Sequence, residues 1–157
     1  MLPYIILLLL ILLIPIKGKI TKKRYCIIIG LLLFIIVGFR DINMGMRDTR
    51  YIYISIFDQL NTMTFSEAYN FILQRDIQFV FYIITKLITY ISSSHRLYLL
   101  VLSFPINYCI SRFIYKYSKK PKLSYIMYLS LNYFAFSFTL LKHCCALSIV
   151  LLAFDYL

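Results

Sequence analysis

Arg40, Asp41, Arg47, Asp48 and Arg50 fall within one short stretch, Gly38 to Phe57, directly behind an apolar run in a chain that is 62% hydrophobic. A second polar pair, Lys142-His143, interrupts a later apolar run. Guanidinium forks bind phosphate oxygens bidentately, and an ammonium adds a point charge. Arg40, Arg47 and Lys142, with His143 beside it, are therefore candidate ligands for a diphosphate such as a membrane surface presents on a lipid-linked glycosyl donor. Breaking a sugar–phosphate bond builds negative charge on the departing diphosphate, and preorganised cations stabilise it. Asp48 or Asp41 could take the proton from an attacking sugar hydroxyl as general base. A paired-carboxylate hydrolase is less well supported, because Asp41 and Asp48 have no spacing signature of their own.

Each of these residues also has an ordinary use. Arg40, just after a span, can anchor the interface. Asp48 can pair with Arg47, Arg50 or Arg40, and Gly45 can serve a turn. Lys142-His143 can be a polar helix end. No metal or cofactor is expected: His95 and His143 lie far apart, and Cys26, Cys109, Cys144 and Cys145 form no Cys-x-x-Cys pair. The cysteines read as small apolar packing residues.

The elements that must position this chemistry are apolar helices. A mean hydropathy of +0.81 with 15% charged residues is the composition of a membrane protein. The net charge of +11 could serve nucleic acid. Its lysines, however, cluster in two short loops between apolar runs, the positive-inside pattern, and do not stripe one face of a soluble fold. Nucleic acid is thereby excluded as a partner.

Residues 2–16 form a pure apolar run with Lys17, Lys19, Lys22, Lys23 and Arg24 behind it, the reverse of a secretory signal. It reads as a first span with its N-terminus outside. Residues 25–39 return outward and deliver the polar stretch. The region 40–96 reads as an extracytoplasmic loop. Within it Thr64 and Glu67 have capping-box spacing and predict a short amphipathic helix through about Leu73. Phe79 to Ile91 is apolar but short and carries Lys86 at its middle, where a bilayer would charge about 2.5–3.5 kcal/mol. It is therefore expected to be interfacial or re-entrant. Residues 97–115, with Pro105 as a kink, 123–141 and 144–157 read as further spans, and Lys116, Lys119, Lys120 and Lys122 as an inside loop. Tyr53 and Phe57 share a helix face. The chain stops within the last run, which points to a truncated polypeptide.

The fold expected is all-α: a polytopic integral membrane protein in one domain over 1–157, with four or five transmembrane helices and extracytoplasmic interfacial or re-entrant helices. Several segments resemble the EpsG family of exopolysaccharide and capsule polymerases, relatives of the Wzy-type O-antigen polymerases. These are Gly38-Phe39-Arg40; Gly45 to Asp48-Thr49 with Tyr53 and Phe57; Phe113 to Lys119; Phe136-Ser137-Phe138; and Lys142-His143 with Ala146 through Leu157. One extra residue, Met46 or Arg47, separates Gly45 from Asp48. Lys142-His143 stands where the family shows Arg-Gln, keeping charge but losing the bidentate fork. Family members are longer, so the chain corresponds to an N-terminal portion.

The resemblance implies a membrane glycosyltransferase of the bacterial inner or plasma membrane. It would join polyprenyl-diphosphate-linked oligosaccharide repeat units at the extracytoplasmic face during polysaccharide biosynthesis. Its implied partners are that lipid-linked glycan, the bilayer and other polysaccharide-export membrane proteins. In this reading Arg40, Arg47, Lys142 and His143 hold the diphosphate, and Asp48 orients or deprotonates the acceptor. The alternative is a non-catalytic membrane component, either a transporter- or flippase-like subunit or an inactive polymerase remnant.

Overall fold

The structure, a computed structural model, describes residues 2–16, 18–41, 49–74 and 79–154. Among them are nine α-helices and no strand. These are α1 (Leu2–Leu13), α2 (Gly18–Gly38), α3 (Ser55–Thr62), α4 (Phe65–Leu73), α5 (Phe79–Ile91), α6 (His95–Tyr117), α7 (Pro121–Ser130), α8 (Tyr133–Thr139) and α9 (Leu141–Ala153). A π-helical stretch, Thr49–Ile54, runs directly into α3.

The frame is the antiparallel pair α2 and α6. Lys22 donates to the Ser118 carbonyl at 2.7 Å near one end of the pair. At its middle Phe34 meets Phe104 edge-on at 5.8 Å. Two glycines let the backbones approach: a Cβ on Gly30 would come within 2.5 Å of Ser111 Oγ, and one on Gly38 within 2.5 Å of Leu100 Cδ2. Small residues play this part wherever helices pack without a hydrophobic drive between them. α9 runs parallel to α6, with Cys145 beside the Leu102 carbonyl and Phe154 against Phe113 and Tyr117. α1 packs on α2 and α7, where Tyr25 donates to the Ile11 carbonyl at 3.0 Å.

Three expected boundaries differ. The basic segment expected as a loop is largely helical, because α2 already begins at Gly18. Lys and Arg are good helix formers, and Lys22 lays its chain over the Tyr115 ring, 5.5 Å from the centroid, to reach its acceptor. The run 123–141 is not one helix. It breaks after Ser130, where Asn132 adopts φ 61°, and again at Leu140, with φ −105° and ψ 54°. Asn is among the few side chains that enter the left-handed region readily. Finally, α9 starts at Leu141, so Lys142 and His143 belong to its first turn. Other expectations hold. α4 has its capping box, with Thr64 and Glu67 bonded reciprocally, and ends at Leu73. Tyr53 and Phe57 are buried in one cluster with Phe81, Tyr98 and Leu102.

Lys86 is buried, and two backbone carbonyls meet its ammonium. It donates to the Leu60 carbonyl at 2.8 Å and the Met63 carbonyl at 2.7 Å, at the C-terminal end of α3. α5 thus packs its lysine against α3 and keeps Val80, Leu87 and Ile91 on its exposed side.

Among the described residues α6 is the one helix both long and apolar enough to cross a membrane by itself, and α5 and α9 are shorter apolar helices. Large apolar side chains are nevertheless exposed on several elements: Leu9 on α1, Leu31 and Ile35 on α2, Phe104 on α6, Ile149 and Val150 on α9. Apolar exposure on that scale marks a surface that meets lipid or another chain. The two ends of the α2–α6 pair differ in charge. One collects Lys22, Lys23, Arg112, Lys116 and the Lys119–Lys122 turn, and Lys122 there donates to the Leu12 carbonyl of α1 at 2.7 Å. The other holds Arg40, Asp58, His95 and the start of α9.

Candidate functional site

The site is organised by the break at Leu140, where the C-terminus of α8 meets the N-terminus of α9. A helix leaves its last carbonyls and its first N–H groups without intrahelical partners. The two sides of this break treat those groups differently.

On the α8 side, side chains from the other half of the polar stretch close the open carbonyls. Arg40, just past the end of α2, is 6% exposed. Its Nη1 donates to the Ser137 carbonyl at 3.0 Å and its Nη2 to Thr49 Oγ1 at 3.3 Å. Thr49 in turn donates to the Phe138 carbonyl at 2.9 Å. The guanidinium also stacks over the Phe138 ring, 5.3 Å from its centroid, a cation–π contact that strengthens when desolvated. Burial pushes the Arg40 guanidinium down to about 10, so it stays charged at neutral pH. A cation on the carbonyl end of a helix also agrees with the helix dipole. One nitrogen makes no hydrogen bond: Arg40 Nε is buried without a partner.

On the α9 side no side chain among the described residues closes the helix. Leu140 offers no side-chain cap, and the first turn carries no acidic residue. Lys142, half-buried, and His143, exposed, occupy that turn and form no hydrogen bond or ion pair with the described residues. The Lys142 ammonium here opposes the dipole, at a cost of typically 0.3–1 kcal/mol. Uncapped N–H groups with an added ammonium have the chemistry of an anion site.

Arg40, Lys142 and His143 are therefore brought to one junction. Arg40 is there as a carbonyl cap with its charge largely enclosed, whereas Lys142 and His143 are open. Arg47, Asp48 and Gly45 lie outside the described residues; Asp41, on the same stretch, is exposed. Sequence reasoning missed Thr49, Ser137 and the Leu140 break. Thr49 and Ser137 lay inside motifs already singled out, Gly45 to Asp48-Thr49 and Phe136-Ser137-Phe138. Their role as donor and carbonyl bearer needed the break at Leu140, which has no signal in the residue types around it; Asn132 marks only the earlier break after Ser130. Lys86 was recognised as out of place in lipid, and its carbonyl partners supply the reason.

In comparison with known proteins, the model of the EpsG family matches residues 23–157. No curated protein and no solved structure matches.

Proposed function

The chain belongs to the EpsG family, and on that premise we propose that it is a polytopic membrane component of polysaccharide biosynthesis, a glycosyltransferase of the polymerase type. Its substrate would be an oligosaccharide repeat unit on a polyprenyl diphosphate. The observation that carries this reading is the open N-terminus of α9, bearing Lys142 and His143 where the dipole disfavours cations and favours an anion. The segregation of basic residues to the opposite end supports an orientation with that end in the cytoplasm and the Leu140 junction at the extracytoplasmic face of a bacterial inner or plasma membrane.

In the proposed step the acceptor sugar hydroxyl attacks the anomeric carbon of the donor. The new C–O bond forms as the bond to the diphosphate breaks, and the polyprenyl diphosphate leaves with the bonding electrons. Lys142, the α9 N–H groups and His143 take up the charge that develops on it. Arg40 fixes the junction and adds positive potential from behind. The hydroxyl proton passes to Asp48, whose chain neighbour Thr49 is pinned to the Phe138 carbonyl, and Arg47, next in sequence before Asp48, would serve as a further phosphate ligand.

Reconstitution in vesicles with lipid-linked repeat units tests the reading. Glycan lengthening by the wild-type chain, lost in Lys142→Ala, is the expected result. Repeat units that cross the bilayer without lengthening would overturn it in favour of a transporter.

A further inference from the structure

The α2–α6 pair encloses a second feature at its basic end. A groove of about 540 Å³ opens between the two helices, within the ~300–1,000 Å³ range of small-molecule sites. Leu31, Phe34, Phe104 and Tyr108 form its apolar walls, while Lys23 and Arg112 stand at its basic mouth. Phe104 and Tyr108 stack at 5.8 Å and 15°, giving one wall a flat face. The floor is polar and unsatisfied. Asn107 is 1% exposed; its Nδ2 donates to the Ser103 carbonyl at 2.8 Å, but its Oδ1 has no partner. Ser111, 8% exposed, has a buried hydroxyl with no hydrogen-bond partner. Leaving a buried polar atom unmet is costly, so an occupant that bonds to both is stabilised.

We propose that this groove binds an anionic diacyl glycerophospholipid, with one acyl chain along the aromatic wall and the phosphate between Lys23 and Arg112. Length selects the occupant. From Lys23 to Phe34 along α2 the groove runs roughly 16 Å at ~1.5 Å per residue, about half of a ~30 Å hydrocarbon core. That is the reach of one leaflet's acyl chain, and a long isoprenoid would overrun it. Charge selects the headgroup, because basic pockets between helices at the cytoplasmic side take anionic lipid phosphates. Ser111 is placed to donate to an ester carbonyl one step below the phosphate. Gly30 keeps the floor open, since a Cβ there would press on Ser111 Oγ. The lipid site rests on the membrane orientation proposed for the chain; it does not depend on the chemistry proposed at the Leu140 junction, which lies at the opposite end.

Native mass spectrometry of the detergent-solubilised chain, offered phosphatidylglycerol or phosphatidylcholine at equal concentration, tests the proposal. The wild type should retain phosphatidylglycerol at least ~10-fold over phosphatidylcholine, a difference of about 1.4 kcal/mol. Lys23→Gln with Arg112→Gln should abolish that preference, whereas Lys119→Gln with Lys120→Gln, the same change in charge at the same end, should keep it. Leu31→Trp, which fills the groove from its exposed rim, should displace both lipids; Ile27→Trp replaces it if thermal unfolding shows the first variant misfolded. Equal retention of the two lipids by the wild type, equal loss in the two charge variants, or undiminished binding in the Trp variant would each overturn it.

Discussion

Arg40 and Lys142 stand on opposite sides of one broken helix, and the contrast between them separates architecture from recognition. Arg40 serves the carbonyl end of α8, in agreement with the helix dipole, with two of its nitrogens hydrogen-bonded inside the protein. Lys142 lies at the N–H end of α9, against the dipole and unpaired among the described residues. The first arrangement lowers the energy of the protein alone. The second lowers it only when an anion arrives. Lys86 on the end of α3 repeats the first arrangement, as do Lys22 and Lys122 on the ends of α6 and α1. Four helix C-termini are thus closed by cations drawn from other elements. This accounts for part of the basic excess without any ligand.

The largest expected effect is that of Arg40→Ala. It opens the Ser137 carbonyl, removes one partner of Thr49 and deletes a charge-assisted bond of the kind worth about 1.5–3 kcal/mol. The thermal unfolding midpoint in detergent should fall steeply, and Arg40→Lys should recover part of the loss, since one ammonium cannot span both acceptors as the planar fork does. Lys86→Met should come next. Its two carbonyls at the end of α3 lose their donor, a cost of about 1–3 kcal/mol confined to α3–α5, which faster hydrogen exchange over residues 55–64 would reveal. An Arg40→Ala protein as stable as the wild type would erase the distinction between the two cations.

Lys142→Ala should leave stability unchanged or raise it by about 0.3–1 kcal/mol, because it relieves an opposed dipole. Retained thermal stability with lost glycan lengthening is the pattern expected. The smallest effect concerns the α4 cap. The Thr64 backbone N–H donates to Glu67 Oε2 at 2.8 Å, and the Thr64 hydroxyl donates to the same oxygen at 2.9 Å. These bonds hold the Glu67 carboxyl below its ordinary value. With the folded value depressed, the contribution is fully present above the unfolded pKa and is lost as pH falls through the folded one. The protection factor of the Thr64 amide, its exchange rate divided into the intrinsic rate at each pH, should fall over that acid window and stay constant above it.

Much of this was legible in the sequence, and the illegible part has a physical reason. Apolar runs located α1, α6 and α9 within a few residues and the C-terminal end of α2 but not its basic start, and the Thr64–Glu67 spacing located α4, because each signal is local. Lys86 in an apolar helix announced that its charge must be met. The identity of the acceptors, the Leu60 and Met63 carbonyls, was not visible, since backbone carbonyls leave no trace in residue types. The same limit hid Arg40's role. An arginine after a span reads equally as anchor, ligand or cap, and only the break at Leu140, set by long-range packing, decides where its guanidinium goes. Lys142 was legible as a polar interruption but not as the first turn of a helix, and that turn gives it its meaning.

The comparison is tested most directly by binding. Farnesyl diphosphate, a short lipid diphosphate, would be titrated calorimetrically into the purified chain and into Lys142→Gln, with thermal unfolding measured on both. The account predicts saturable binding by the wild type, at least ~10-fold weaker in the variant, about 1.4 kcal/mol, at an unchanged unfolding midpoint. Equal affinity in the two proteins would contradict it and return Lys142 to the status of an ordinary polar helix end.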